Sequence, residues 1–375
     1  MRGQDLLKNI TDMFSAMPAG PVTGLDIGSY SVKAARLGRN SGVVSVEYLA
    51  YEKLPQRESI SPEELRSEQI NIIKKLRSDG KLEGNICLFA SECDIKMQNI
   101  RMSAAPVQEM DRAVKWKTEE ELSIDPQDTC FDYMIPESGS GPASDTKNVV
   151  VASAKKNKVR ELVGPLEGLG LKIVALEPAS IALAAYSAIS GSHPSGEIVV
   201  LVDIGYNTSS FNVVTDGAVR FSRNLFITGS NLTRSVKDYC GVGYEEAEEL
   251  KVRYGMGPGS DKDAAEGAVK DRPRQVSYAL NFQLERLVTD IDRSFKYYSY
   301  QVAMSRVQKL DRMFLTGGGA RLEGLDRFLS ARLEIPVEIA KPFVKIGFPD
   351  ASKDIAMAYG PGLVTALGLS TRGIE

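Results

Sequence analysis

Two short motifs place a carboxylate, a glycine and hydroxyl groups in close succession. The first, D-I-G-S-Y-S-V-K, spans residues 26–33, and the second, D-I-G-Y-N-T-S, spans residues 203–209. Glycine lets the backbone approach a ligand, the N–H groups of a tight turn form an anion-binding nest, and hydroxyls donate further hydrogen bonds. A carboxylate beside phosphate would hold Mg²⁺, usually through water. These residue types therefore indicate binding of a magnesium-bound phosphate.

Either motif alone would also fit an ordinary hairpin turn. Their repetition favours binding, because each follows an apolar run and is followed by further β-type runs. These runs are 23–27, 31–37 and 43–49 in the first half and 198–205, 209–214 and 218–224 in the second. Two lobes built on one plan would let the turns face each other across a cleft and hold β- and γ-phosphates from both sides.

A third motif, T-G-G-G-A at residues 316–320, follows an apolar strand at 312–315 and precedes a helix that ends near residue 332. Such a segment exposes backbone N–H groups and leaves room for a bulky ligand beside it. A glycine triplet alone is more often a loop than a site. Because this triplet follows two D-x-G turns in the chain, it indicates a binding site.

The remaining elements are predicted from periodicity and capping residues. The first half is expected to contain a helix at 62–78, a strand at 85–90, a polar inserted segment at 91–147 with a helix at 107–122, a β-α-β unit at 149–154, 157–169 and 172–176, and a helix at 178–190. The second half is expected to contain a largely helical insertion at 241–308 with a long helix at 275–305, a strand at 337–339 and a small-residue helix at 363–369.

Residues 5–17 carry apolar side chains at helical spacing, namely Leu7, Ile10, Phe14 and Met17. This stripe predicts an amphipathic helix. It would pack against its own protein or a neighbour, or else anchor the chain on a membrane surface. The second alternative has less support, because only Lys8 adds basic charge to the polar face.

Composition excludes several classes of protein. The 375 residues exceed the roughly 250–300 beyond which single cores divide into domains. With 43% hydrophobic and 25% charged residues and a net charge of -3, the chain is an ordinary globular protein without a bias toward nucleic acid. Four cysteines fit neither a disulfide framework nor a zinc site. Without a membrane-length apolar run or a secretory signal, the expected location is the cytoplasm.

The order of the three motifs resembles the phosphate-1, phosphate-2 and adenosine motifs of the actin-like ATPase superfamily, over about residues 20–370. Within it the chain resembles the PilM family of type IV pilus assembly proteins, relatives of the division protein FtsA. The supporting segments are 24–33, 101–126, 170–180, 221–229 and 315–325.

This resemblance implies an α/β actin-like ATPase fold, with two duplicated β-meander/α lobes around a nucleotide cleft and inserted subdomains. The implied parts are an N-terminal helix at 1–20, subdomain 1A at 21–90 and 173–195, an inserted subdomain 1C at 91–172, subdomain 2A at 196–240 and 309–375, and subdomain 2B at 241–308.

The resemblance also implies an ATP site. The residues expected to bind ATP are Asp26, Gly28, Ser29, Ser31, Lys33, Asp203, Gly205, Asn207, Thr208, Gly229, Glu248, Lys251, Gly317, Gly318, Gly319 and Ala320. Asp26 and Asp203 would hold Mg²⁺ through water, and the glycine triplet would line the adenosine. Glu248 and Lys251 would flank adenine, although E-x-x-K is also the ordinary spacing of a solvated helix pair. Gly229 is followed by serine where relatives often carry a second glycine.

As function, the resemblance implies an ATP- and Mg²⁺-binding adaptor of the type IV pilus inner-membrane complex, responsive to nucleotide. Its expected partner is the N-terminal cytoplasmic segment of PilN, together with other proteins of that complex. Because residues 369–375 are polar and short, membrane contact is expected to be indirect. The alternatives are an FtsA-like division protein or a metabolite kinase that uses Asp203 as base. ATP hydrolysis and homo-oligomer formation are left open.

Overall fold

A computed structural model describes residues 20–55, 58–91, 95–103, 106–136, 146–190, 196–257, 272–303 and 310–374. The amphipathic helix predicted at 5–17 lies outside the described residues.

The first lobe contains a five-stranded mixed sheet. Its strands, in spatial order, are β3 (Val43–Lys53), β2 (Ser31–Asn40), β1 (Val22–Ile27), β4 (Asn85–Ala90) and β8 (Lys172–Leu176). β1 is buried along its whole length, as expected for a central strand covered on both faces. β2 and β3 run further than predicted, and their pairing has a register irregularity between Arg36 and Leu37.

The second lobe contains a sheet of the same order and strand directions. Its strands are β11 (Ala218–Leu225), β10 (Ser209–Thr215), β9 (Val199–Ile204), β12 (Arg312–Thr316) and β13 (Val337–Ile339). In each lobe the central strand pairs antiparallel with the next strand of a meander and parallel with a strand that arrives later in the chain. The duplication predicted from the repeated motif is therefore present in the backbone.

Helices cover the outer faces of both sheets. On the first lobe these are α1 (Pro62–Ser78) and α3 (Lys156–Gly168), and on the second α5 (Gly229–Cys240), α6 (Tyr244–Tyr254), α7 (Arg272–Tyr297) and α8 (Leu325–Leu333). α1 begins at a capping box, in which Ser61 and Glu64 each accept a backbone N–H of the other.

Two helices rich in small residues lie between the sheets. These are α4 (Ala179–Ser190) and α10 (Val364–Ser370), and α10 follows the short helix α9 (Lys353–Tyr359). One apolar cluster joins them to Leu37 of the first sheet and Leu201 of the second. At Gly24 in β1 an added Cβ would lie 2.0 Å from the Ala366 carbonyl oxygen, so only glycine permits this close packing. We call α4 and α10 the seam helices, and the apolar cluster around them joins the two lobes.

A separate three-stranded sheet is inserted in the first lobe. It consists of β5 (Lys96–Ser103), β7 (Thr146–Lys155) and β6 (Thr129–Met134), with α2 (Val107–Glu121) packed on it. The predicted β-α-β unit is wrong in one respect, since its first strand, β7, pairs in this inserted sheet and not beside β8. Periodicity identifies a strand but not the sheet that receives it. α3, by contrast, buries its apolar face against the first sheet.

The long helix predicted at 275–305 begins and ends earlier than expected. The α-helix spans Arg272–Tyr297 and continues as a π turn at Tyr298–Val302. The Val302 carbonyl accepts a 2.9 Å hydrogen bond from Arg101 of β5, and Asn99 donates one of 2.9 Å to the Arg220 carbonyl. The inserted sheet is thus fastened to the second lobe.

Candidate functional site

The two D-x-G turns have matching backbone geometry. In the first lobe the Gly28 N–H donates to the Ser31 carbonyl at 3.1 Å, and in the second the Gly205 N–H donates to the Thr208 carbonyl at 2.9 Å. Each turn follows a central strand and lines the same interlobe cleft. The cleft therefore presents two equivalent tight turns from opposite sides.

Lys33 lies directly across the strand pair from Asp26. Its Nζ donates to Asp26 Oδ2 at 2.8 Å, with both side chains largely buried. Burial alone would lower the pKa of Lys33, but the Asp26 carboxylate outweighs it and the pKa lies above its ordinary value. The ammonium therefore stays charged in the cleft and can face an anion.

Asp203 has a different environment. Thr316 donates a 3.1 Å hydrogen bond to its Oδ1. Burial, with repulsion from Asp26, raises the pKa of Asp203 to about 6, while Lys33 and the Thr316 bond oppose the rise. At Gly317, with φ +80°, an added Cβ would lie 2.5 Å from Asp203 Oδ1. Glycine at this position is required for the third motif to approach the carboxylate.

A buried polar cluster forms a further wall of the cleft. Lys251 of α6 donates to Glu248 at 2.6 Å and to Thr233 at 2.9 Å. Burial lowers the pKa of Lys251, and Glu248 opposes this effect. Gly229 starts α5 and donates its N–H to the Gly205 carbonyl at 2.9 Å, which attaches this helix to the second turn. Glu248 and Lys251 are therefore buried lining groups and not a solvated helix pair.

Most residues predicted for the ATP site line this one cleft. They are Asp26, Gly28, Ser29, Ser31, Lys33, Asp203, Gly205, Thr208, Gly229, Glu248, Lys251, Gly317, Gly318 and Gly319. Two lie elsewhere. Asn207 is at the exposed tip of its turn, because the backbone reverses there. The Ala320 side chain is fully buried in the core of the second lobe.

Several cleft residues were not predicted, among them Tyr30, Tyr206 and Arg321. Tyr30 and Tyr206 come from opposite turns, and their rings meet with centroids 5.4 Å apart. Arg321 lines the cleft beside the glycine triplet and stacks over the Tyr359 ring at 5.1 Å. The sequence did carry signals for these three residues, namely an aromatic residue close to each D-x-G and a cation directly after T-G-G-G-A.

The donor set suits a hard cation between the two turns. Asp26 and Asp203 supply carboxylate oxygens, and the charge of Asp26 helps to raise the pKa of Asp203, so a divalent cation would relieve that repulsion. Within the described ranges no three His, Cys, Asp or Glu side chains gather as a metal-binding group. A magnesium ion here would keep most of its water ligands, as is usual when phosphates complete its shell.

The duplicated sheets, the seam helices and the cleft between two D-x-G turns define the actin-like ATPase class of proteins. MreB5 of Spiroplasma citri bound to ADP has this fold, and its structure aligns with a TM-score of 0.51 and 13% identity over 94% of this chain and 95% of that one. The family model described as type IV pilus assembly protein PilM matches residues 24–374. The chain therefore belongs to the PilM family.

Further similarities agree with this placement. The solved PilM-PilN type IV pilus biogenesis complex aligns with a TM-score of 0.76 and 22% identity, covering 96% of this chain and all of that chain. FtsA of Escherichia coli K12 is 25% identical over 270 residues, which is 68% of this chain and 62% of FtsA. FtsA of Pseudomonas aeruginosa is 24% identical over 44% of this chain and 41% of FtsA. The chain thus spans between two fifths and three fifths of the length of these relatives.

The described part of the chain contains no helix that is long and apolar enough to cross a bilayer.

Proposed function

We propose that this protein binds ATP with Mg²⁺ between its lobes and acts as a nucleotide-responsive adaptor on the cytoplasmic face of the type IV pilus inner-membrane complex. The observation that carries the proposal is the pair of matching turns, with their Gly28 and Gly205 hydrogen bonds, facing one cleft beside the Lys33 ammonium. Membership of the PilM family supplies the biological context.

The cleft residues divide by the chemistry they offer. The first turn offers the hydroxyls of Ser29 and Ser31 and the charge of Lys33, which suit the terminal phosphates. Bound Mg²⁺ would neutralise phosphate charge, with Asp26 and Asp203 accepting hydrogen bonds from its waters. The glycine triplet and the Glu248–Lys251 pair line the same cleft and would contact the nucleoside beside the phosphates.

Nucleotide response follows from contacts that cross the cleft. The Tyr30 and Tyr206 rings touch, and Lys237 of α5 pairs with Glu58 at 2.6 Å. A ligand that binds both turns favours the closed arrangement of the lobes only if it binds that arrangement more tightly than the open one. The inserted sheet, hydrogen-bonded to the second lobe through Arg101, would move with that balance.

The partner we propose is the N-terminal cytoplasmic segment of a PilN-type membrane protein. The support is that the solved structure with a TM-score of 0.76 is named as a PilM-PilN complex. Capturing an extended segment would attach the protein to the membrane indirectly.

Nucleotide binding is tested by titrating the protein with a fluorescent ATP analogue and Mg²⁺. Wild type should bind in the micromolar range, and Asp26→Ala/Asp203→Ala should lose at least tenfold in affinity, or about 1.4 kcal/mol. Asp111→Ala/Asp128→Ala is the matched control, since it removes two exposed carboxylates of the inserted subdomain that do not line the cleft, and it should bind as wild type. Absence of binding by wild type would contradict the proposal.

Adaptor function is tested separately with a synthetic peptide of a PilN N-terminus. Its affinity should change at least threefold between the nucleotide-free and the ATP-analogue-bound protein. Equal affinity in both states would leave a peptide-binding protein without nucleotide response, and failure to bind in either state would rule out the adaptor.

A further inference from the structure

A groove outside the cleft collects exposed aromatic side chains. It lies between α5 and α7 and is lined by Phe226, Tyr239, Tyr278 and Phe282, which are 67%, 52%, 57% and 66% exposed. Single exposed apolar residues are normal on a protein surface, but a contiguous aromatic group marks an interaction site.

The groove is held in shape by its own contacts. Asp290 of α7 accepts the Phe226 N–H at 2.7 Å, which fixes the backbone that presents this ring. The Tyr239 and Tyr278 rings lie with centroids 5.0 Å apart, so one aromatic residue from each helix meets across the groove. Such a surface accepts the apolar face of an amphipathic helix.

We infer that this aromatic groove binds residues 5–17 of a second copy of the chain. Those residues carry the four-residue apolar stripe from Leu7 to Met17. The stripe would be about 15 Å long as a helix, and the groove lining from Tyr278 to Arg286 of α7 extends about 12 Å. The two surfaces are therefore of similar length.

We place the occupant on a second copy, because the groove of the same chain lies further from residue 20 than the linker spans. Pro21 follows the linker and lies beside Gly84, six residues after α1 ends at Ser78, where an added Cβ would be 3.8 Å from the Pro21 carbonyl oxygen. The groove helix α5 meets the opposite end of α1 through the Lys237–Glu58 pair. The 17 residues of α1 separate these ends by about 25 Å. The linker at 18–20 spans roughly 10 Å.

Charge favours a protein groove over a membrane surface as the site for this helix. Its polar face carries Asp5 and Asp12 against Lys8. A helix with net negative charge on its polar face gains no attraction from anionic lipid. A contact between one copy's stripe and the next copy's groove is heterologous, so it builds rings or filaments.

Sedimentation velocity over a concentration series tests this inference on the full chain. The groove variant Tyr278→Ser/Phe282→Ser and the stripe variant Leu7→Ser/Phe14→Ser should both remain monomeric where wild type associates. An equimolar mixture should form dimers only, because it contains one intact groove and one intact stripe. Val344→Ser/Met357→Ser removes other exposed apolar side chains and should associate as wild type.

Several outcomes would overturn the inference. The inference is wrong if wild type stays monomeric at the highest attainable concentration. It is also wrong if the groove and stripe variants associate as wild type does. Loss of association in the groove variant alone would show groove-to-groove contact. A labelled peptide of residues 1–19 should bind the stripe variant at least tenfold more tightly than the groove variant, and equal affinities would also contradict it. Vesicle binding that depends on the stripe but not on the groove would assign the segment to the membrane.

Discussion

The two lobes share a backbone plan but differ in charge at the matching carboxylates. In the first lobe the residue opposite Asp26 is Lys33, and in the second the residue opposite Asp203 is Ser210. Asp26 is consequently paired with an ammonium, while Asp203 relies on a threonine hydroxyl. The duplication has kept the turn geometry and placed the positive charge on one side only.

The largest expected effect comes from removing that charge. Lys33→Ala leaves the Asp26 carboxylate buried without its ion-pair partner, which should cost about 3–5 kcal/mol of stability. Ser210→Ala, at the matching position, loses only the 2.9 Å bond from Asn212 and should cost about 1 kcal/mol. Urea unfolding monitored by circular dichroism compares the two. Equal losses would mean that the lobes do not differ electrostatically.

Packing against the seam gives the second contrast. Gly24→Ala forces a Cβ against the Ala366 carbonyl and should destabilise the protein by about 1–3 kcal/mol. At Gly164 inside α3 a Cβ would meet nothing within 4 Å, so Gly164→Ala should stabilise by about 0.5–1 kcal/mol. Thermal unfolding reports both. A neutral Gly24→Ala would show that the seam can relax.

The raised pKa of Asp203 predicts that the stability of the protein depends on pH. Its folded-state pKa of about 6 lies above the ordinary 3.8, so the native state holds this proton more tightly than the unfolded chain does. Stability from this group is therefore full below about pH 4 and is lost as pH rises through about 6. In metal-free buffer, Asp203→Asn should gain roughly 1–3 kcal/mol at pH 7 relative to wild type.

The matching change, Asp26→Asn, should lower stability at the same pH, because it leaves Lys33 without its carboxylate. Denaturant unfolding at pH 5 and pH 7 with EDTA measures both variants. A loss of stability in both variants would mean that partners beyond Lys33 and Thr316 stabilise the Asp203 carboxylate.

The smallest effect concerns the aromatic contact between the turns. Tyr206→Phe keeps the ring against Tyr30 and removes only the 2.6 Å hydroxyl bond to Tyr244. It should cost about 0.5–1.5 kcal/mol, and Tyr206→Ala should cost more because the interlobe ring contact is lost as well. Differential scanning calorimetry of the two variants separates these contributions, and equal costs would exclude a role for the ring contact.

The fold class was predictable because the chain repeats one pattern of buried strands and turns. The repeated D-I-G turns and the glycine triplet gave the topology and the cleft, and the actin-like prediction is confirmed. The structure of the inserted segment was harder to predict from the sequence. β5 and β6 alternate weakly between buried and exposed positions, so neither was predicted, and β7 was assigned to the wrong sheet.

The candidate site was predictable where chemistry depends on backbone geometry. The glycines and carboxylates directly follow strand ends, so the sheet topology fixes their positions. Most of the proposed ATP-site residues therefore meet in one cleft. Side-chain direction was not predictable. Ala320 turns into the core although its neighbours line the cleft, and Tyr30 and Tyr206 gain their contact only when the lobes come together. Their roles in nucleotide binding stay predictions.

The packing of α10 on β1 has a consequence for how the protein is made. The first strand of the described chain completes its burial only against a helix that begins at Val364, at the contact between Gly24 and Ala366. Contacts of such large sequence separation slow folding. During synthesis the ribosome releases β1 long before α10 exists. The nascent first lobe must therefore keep an apolar face uncovered until α10 has been translated, and such a face is the kind of surface that chaperones bind.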